Sequence, residues 1–411
     1  MMGDILFLAH RVPYPPDRGD KIRSFNILKR LCELGTVHLA AFADDEADLA
    51  HGEALRQVMG SRLGSLHIER RSVSRPVGAT RAMLADKPMS LPLFDSAGIR
   101  RFVGQTLDTK PVSTVFAFSS QMAQFVPQLP PGTRFIMDFV DVDSEKFANY
   151  ALKTSSAVMQ FVYRREARKL GAHERAVAER ADYSLFVSEA EAEVFRSKTG
   201  FRSARIRVLE NGIDCDHFEP DGDFPIVDKP GAPLLVFTGQ MDYRPNIDGA
   251  ISFADDVLPG VREMRPDAHF AIVGRNPTPE VLRLAKRRDI TVTGEVDDIR
   301  SWLHAADLVV APLRVARGIQ NKVLEAMAMA KPVIASSDAF EGIDAEPGRH
   351  IMVGDTPNAG VHMILDLLDN EAMANLIGQA ARQRMLARYS WESALAPLAE
   401  MITMPRGEAA A

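Results

Sequence analysis

Short apolar runs of about four to eight residues recur along the whole chain, each followed by a longer amphipathic stretch. That alternation limits the fold more than any other feature. Ile5-Leu6-Phe7-Leu8 reads as a buried strand. The stretch from about Lys21 to Leu34 reads as a helix, with Ile22, Phe25, Ile27, Leu28 and Leu31 near one face. Further strands are expected at Val37–Phe42, Ser113–Phe118, Arg134–Phe139, Tyr183–Val187 and Ile206–Leu209. A strand apolar along its whole length must be covered on both faces, which indicates a parallel sheet between layers of helices. The second half repeats the pattern, with strands at Leu234–Phe237, His269–Val273, Ile290–Thr293, Leu308–Val310 and Val333–Ala335. The expected class is α/β, with two Rossmann-like doubly wound parallel-sheet domains.

A length of 411 residues also favours two cores over one. Pro220–Pro233 holds four prolines and suits a connection rather than an element, so the join is expected near 212–232. The expected domains are 1–215 and 216–390, with a C-terminal helix at about 391–404 returning to the first. The net charge of −6 argues against a nucleic-acid partner. Cys32 and Cys215 make no disulfide framework, which fits a reducing, cytoplasmic setting. The opening apolar run lacks a basic lead and does not read as a signal peptide. No stretch reaches the ~18 apolar residues of a membrane span.

Three loops at expected strand ends could carry chemistry. In Arg317-Gly318-Ile319-Gln320-Asn321-Lys322-Val323-Leu324-Glu325 a loop turns into a helix. Gly318 permits close backbone approach. The free N–H groups near Ile319 to Asn321 point at any anion placed there. Lys322 in the first turn opposes the helix dipole unless an anion offsets it. Glu325, one turn on, could accept hydrogen bonds from ribose hydroxyls. Val323, Ala326, Met327 and Ala330 are expected on the core face. An exposed Lys–Glu pair is the plain alternative. The second loop, Thr238 to Asn246, contains Gly239 and Arg244, with a helix expected from Pro245 or Asn246; Arg244 meets a phosphate or is a surface residue of a turn. The third, Pro13 to Lys21, is stiffened by prolines and has Gly19 at the helix start, but matches neither nucleotide-binding glycine fingerprint.

Taken in order, several blocks resemble glycosyltransferase family 4. They include Gly19 after the first strand, Val187-Ser188-Glu189, Leu209-Glu210-Asn211-Gly212-Ile213-Asp214, Phe237-Thr238-Gly239, Thr293-Gly294-Glu295-Val296-Asp297 and Glu325-Ala326-Met327-Ala328. That family holds retaining, nucleotide-sugar-dependent enzymes with the GT-B fold, two Rossmann-like domains facing across a cleft. The wording around Met241-Asp242-Tyr243 and Gly318 to Lys322 resembles the bacterial sugar transferases encoded with exosortase-linked exopolysaccharide systems. The resemblance implies a nucleotide-sugar donor held by the second domain and a glycan or lipid-linked acceptor chosen by the first. Its implied donor-binding residues are Gly19, Gly239, Arg244, Asn246, Gly294, Val296, Gly318, Gln320, Asn321, Lys322 and Glu325. No metal or other cofactor is expected.

Two departures stand out. Arg317 occupies a position, eight residues before Glu325, where many members carry glutamate. No histidine follows the strand at 135–139; Asp138, Asp141 and Asp143 are found there instead, and Asp141 is taken with Lys322 as the catalytic pair. Asp141-Val142-Asp143 also spells a metal-binding Asp-x-Asp, though far in sequence from the donor loop. Arg70 to Lys87 mixes arginines with apolar residues, and reads either as a patch for an anionic membrane or as a solvated helix and loop. A donor-binding subunit without activity and a nucleotide-sugar epimerase remain alternatives.

Overall fold

In the computed structural model the described residues are 3–71, 73, 82–83, 85–201, 204–315 and 318–403. They form two compact units. One runs to Asn211 and takes in the chain from Ala394; the other is Gly212–Ser393. The boundary lies at Asn211 because Ile213 and Cys215 are already buried in the second core. Ile213 also donates its N–H to the Tyr389 carbonyl at 2.6 Å.

The first unit is a seven-stranded sheet in the order β3-β2-β1-β4-β5-β6-β7, every pair parallel. The strands are β1 (Asp4–Ala9), β2 (Val37–Ala43), β3 (Leu63–Arg70), β4 (Val112–Phe118), β5 (Arg134–Val140), β6 (Tyr183–Phe186) and β7 (Ile206–Val208). Strand β2 is buried at every position, as expected of a strand covered on both faces. Helix Gly19–Leu34 follows β1 and buries Ile27, Leu28 and Leu31. Helix Glu189–Thr199 is capped by the Ser188 hydroxyl and ends on a left-handed Gly200. Helix Pro397–Thr403 lies on this unit, where Arg134 donates to the Ile402 carbonyl at 2.5 Å.

The second unit is a six-stranded parallel sheet in the order β10-β9-β8-β11-β12-β13. Its strands are β8 (Leu234–Thr238), β9 (His269–Val273), β10 (Ile290–Gly294), β11 (Leu308–Ala311), β12 (Val333–Ala335) and β13 (Met352–Val353). Residues 220–233 form neither helix nor strand. Helix Asn321–Ala328 buries Val323, Ala326 and Met327. Ala330 is not on its face: the helix has ended and Ala330 is left-handed, with φ 54°. No described helix is long and apolar enough to cross a membrane.

Candidate functional site

In the second sheet the winding reverses between β8 and β11, which lie side by side. Doubly wound sheets take ligands at such a point, outside the carboxyl ends of the strands. β8 runs into a loop and then helix Arg244–Ser252; β11 runs, through a longer loop, into helix Asn321–Ala328. Lys322 crosses from the second helix to the first. Its ammonium donates to Asn246 Oδ1 and sits 5.0 Å from the Phe237 ring centre. Asn246 is buried and donates through Nδ2 to the Gln240 carbonyl at 2.8 Å. A Cβ on Gly239 would fall 2.8 Å from Asn246 Nδ2 and 3.2 Å from Lys322 Nζ, so only glycine admits this approach.

Burial acts against both charges on the helix. Loss of water pushes Lys322 down to about 8, with Glu325 pulling the other way. The same loss pushes Glu325 up to about 7, opposed by Lys322. Among the described residues the Glu325 carboxylate closes no hydrogen bond or ion pair. The first intrahelical bonds run from Val323 and Leu324 to the Gln320 carbonyl, at 2.9 and 3.3 Å. The N–H groups of Asn321 and Lys322 therefore precede the ladder and face out of the helix end.

The remaining donor-side candidates are spread around this centre. Gly294 ends β10 with φ 71°, and its carbonyl accepts from Gly274 N–H at 3.1 Å. Gly274 in turn abuts Gly239, so three glycines line neighbouring strand ends. Val296 is half-buried against the second core. Gly318 has φ 69° and open space around it; its carbonyl accepts from Gln320 Nε2 at 2.9 Å. Gln320 occupies the N-cap position and Asn321 is exposed. Arg244 starts its helix, exposed, and its guanidinium is taken up by Asp248 at 2.6 Å and Glu280 at 3.3 Å. Arg317 lies outside the described residues, as does most of 72–81.

Gly19 and Asp141 belong to the first unit. Gly19 opens its helix with nothing within 4 Å of where a Cβ would stand. Asp141 follows β5 and accepts from Lys146 Nζ at 2.7 Å. Asp143 is also held by Lys146, at 3.3 Å, and burial pushes its pKa up. Val140 has φ 69° and Ser119 φ 76°. For a β-branched valine that is strain, and strained residues collect at functional strand ends. The winding of this sheet reverses between β1 and β4. His10 leaves β1 there, stacks on Phe118 at 5.5 Å and meets Asp20 at 3.3 Å. Burial lowers its pKa, so the ring is held neutral near pH 7. Among the described residues its Nδ1 has no hydrogen-bond partner.

Sequence reasoning gave no site role to His10, Phe237 or Gly274. A histidine or glycine just past an apolar strand was the available signal for two of them. Phe237 gave none, being one more apolar residue in a buried strand. Among the described residues no group of three His, Cys, Asp or Glu is placed to hold a metal ion.

Residues 232–370 match the family model described as "Glycosyl transferases group 1". A GDP-mannose-dependent alpha-(1-6)-phosphatidylinositol monomannoside mannosyltransferase of Mycolicibacterium smegmatis is 29% identical over 255 residues, covering 56% of this chain and 64% of that protein. A glycogen synthase of Mycobacterium tuberculosis is 26% identical over 216 residues, covering 50% of each. The chain thus spans under two thirds of the length of these relatives. Anabaena Alr3699/HepE in complex with UDP superposes with TM-score 0.60 at 15% identity, over 97% of this chain and 99% of that one. At that identity the likeness establishes the fold, which is GT-B.

Proposed function

We propose that the protein is a glycosyltransferase of the retaining family 4 kind, moving a sugar from a nucleoside-diphosphate sugar to a glycan or lipid-linked acceptor. The observation that carries this reading is Lys322, half-buried without a carboxylate partner within hydrogen-bond reach and anchored by Asn246 beside a helix N-terminus. A diphosphate placed there receives the Asn321 and Lys322 N–H groups and the ammonium. Glu325 accepts from the ribose hydroxyls, and the glycine-lined ends of β8, β9 and β10 let backbone groups approach the nucleotide. As the sugar leaves, charge grows on the terminal phosphate, and these fixed donors stabilise it. The leaving phosphate then takes the acceptor proton on the same face, which gives retention. The donors are all protein groups, so the reading needs no metal.

In this reading the first unit holds the acceptor, with Asp141, Asp143 and His10 near its hydroxyl. The Mycolicibacterium smegmatis relative acts, by its name, on a phosphatidylinositol monomannoside. A lipid-linked acceptor at the inner face of the cytoplasmic membrane, in exopolysaccharide or other cell-surface glycan synthesis, is the corresponding proposal here.

Thermal unfolding with UDP, GDP, ADP and CMP, with and without Mg²⁺, tests the donor site. A nucleotide at about 100 times its Kd adds about 2.7 kcal/mol. One base is expected to give a shift that is indifferent to metal and lost in Glu325→Ala and Lys322→Ala. Shifts that survive both substitutions would move the nucleotide elsewhere.

A further inference from the structure

Helices Asp143–Lys153 and Ala157–Arg180 lie against each other as a hairpin projecting from the end of β5. Its tip is apolar on the outside: Leu152 is 76% exposed, Val158 73% and Phe161 67%. Single exposed apolar residues need no explanation, but a cluster marks a binding surface. The longer helix buries Glu166, Leu170, Glu174 and Val177. At about 3.6 residues per turn, these share one face, and Phe161, Arg164 and Arg168 take the opposite one. Phe147, Tyr150 and Tyr163 brace the tip, with ring centres 5.7 to 6.1 Å apart. Arg165 donates to the Ala82 and Lys87 carbonyls, which holds exposed Met83 beside the same helix.

The charge here runs against that of the chain. Residues 150–169 contain five Lys and Arg and a single acid, Glu166, in a protein of net charge −6. Glu166 faces inward and accepts from Met89 N–H at 2.8 Å. Lys153, Arg164 and Arg168 are exposed and close no ion pair among the described residues.

We propose that this hairpin tip docks the protein on an anionic phospholipid surface. Leu152, Val158 and Phe161 enter the headgroup boundary, Tyr150 and Tyr163 lie at its level, and Lys153, Arg164 and Arg168 meet lipid phosphates. A second copy of the chain is a poor occupant, because a two-fold contact would set these cations against one another. The helix from Asp143 to Lys153 joins the acceptor side to the tip over about 16 Å at 1.5 Å per residue. The inference deepens the lipid-acceptor reading and rests on it for its purpose.

Sedimentation of the full chain with phosphatidylcholine vesicles, with and without phosphatidylglycerol, is the test. Binding is expected with phosphatidylglycerol and weakens with salt. The triple variant Leu152→Ser, Val158→Ser, Phe161→Ser and the double variant Arg164→Glu, Arg168→Glu each weaken it by about tenfold or more. Both variants keep the nucleotide-induced thermal shift, which shows them folded. The docking surface is overturned if the native chain ignores the anionic vesicles or the variants bind them equally. It is also overturned if the native chain is a dimer that the same substitutions dissolve. A chain that transfers sugar yet ignores vesicles overturns the docking alone. One that binds vesicles but no nucleotide overturns the transferase reading alone.

Discussion

Burial disfavours the charged forms of Lys322 and Glu325, and this has a definite sign in pH. Glu325, raised from 4.5 to about 7, binds its proton more tightly in the folded chain. Its contribution to stability is therefore present below 4.5 and lost as pH rises to about 7. Lys322, lowered from 10.5 to about 8, binds its proton more tightly when unfolded, so stability recovers as pH rises from about 8 to 10.5. The fall in unfolding midpoint as pH rises from 4.5 to about 7 is expected to flatten in Glu325→Gln, measured by thermal unfolding across pH. A diphosphate at Lys322 restores its charge, so nucleotide binding at pH 8 takes up a proton. Calorimetry in two buffers of different ionisation enthalpy reads that uptake, and Lys322→Met should abolish it. Both side chains were legible as a pair one helical turn apart. Their anchoring was not, because Asn246 and Phe237 reach Lys322 only across the sheet.

At the scale of elements, the strand ends decide whether a site exists. A Cβ at Gly274 would run into the Gly239 carbonyl, and Gly274 has φ 150°. Gly274→Ala is expected to cost about 2 kcal/mol or more and to abolish the nucleotide-induced shift, because it displaces the loop that seats Asn246. Val140→Gly relieves the left-handed strain at the end of β5 and is expected to be neutral or stabilising by up to about 1 kcal/mol in chemical denaturation. The long buried strands were read from apolar runs alone. β3 was not, since its outward face is polar and half-exposed, and β13 is only two residues long. The register of β8 against β11, which creates the crevice, has no local signal.

At the scale of the two units, the first is held by a buried ion pair. Arg23 and Asp138 are 1% and 0% exposed, with Nε–Oδ2 at 3.0 Å, and Arg23 also donates to Asn211 Oδ1 and the Leu209 carbonyl, both at 2.8 Å. Arg23→Ala leaves a buried carboxylate unpaired and is expected to cost about 3–5 kcal/mol of the first unit's stability. Hydrogen exchange should show the loosening in residues 134–140 and 206–211, with strands β8 to β12 unchanged. The same measurement with a bound nucleoside diphosphate should protect 238–246 and 318–325. Protection confined to the first unit would place the nucleotide on the wrong side.

Two parallel sheets, the positions of eleven strands and the glycine and lysine loops of the second half follow from the sequence alone. They depend on local quantities: runs of apolar residues, helical periodicity and glycine at turns. Tertiary structure alone decided that Asn246 anchors Lys322, that burial sets the ionisation of Lys322 and Glu325, and that His10 lies against Phe118 with an unpaired nitrogen. It also decided that apolar side chains at the 143–180 hairpin stay uncovered. Each is a contact, or the lack of one, between segments far apart in the chain, fixed by sheet order and packing.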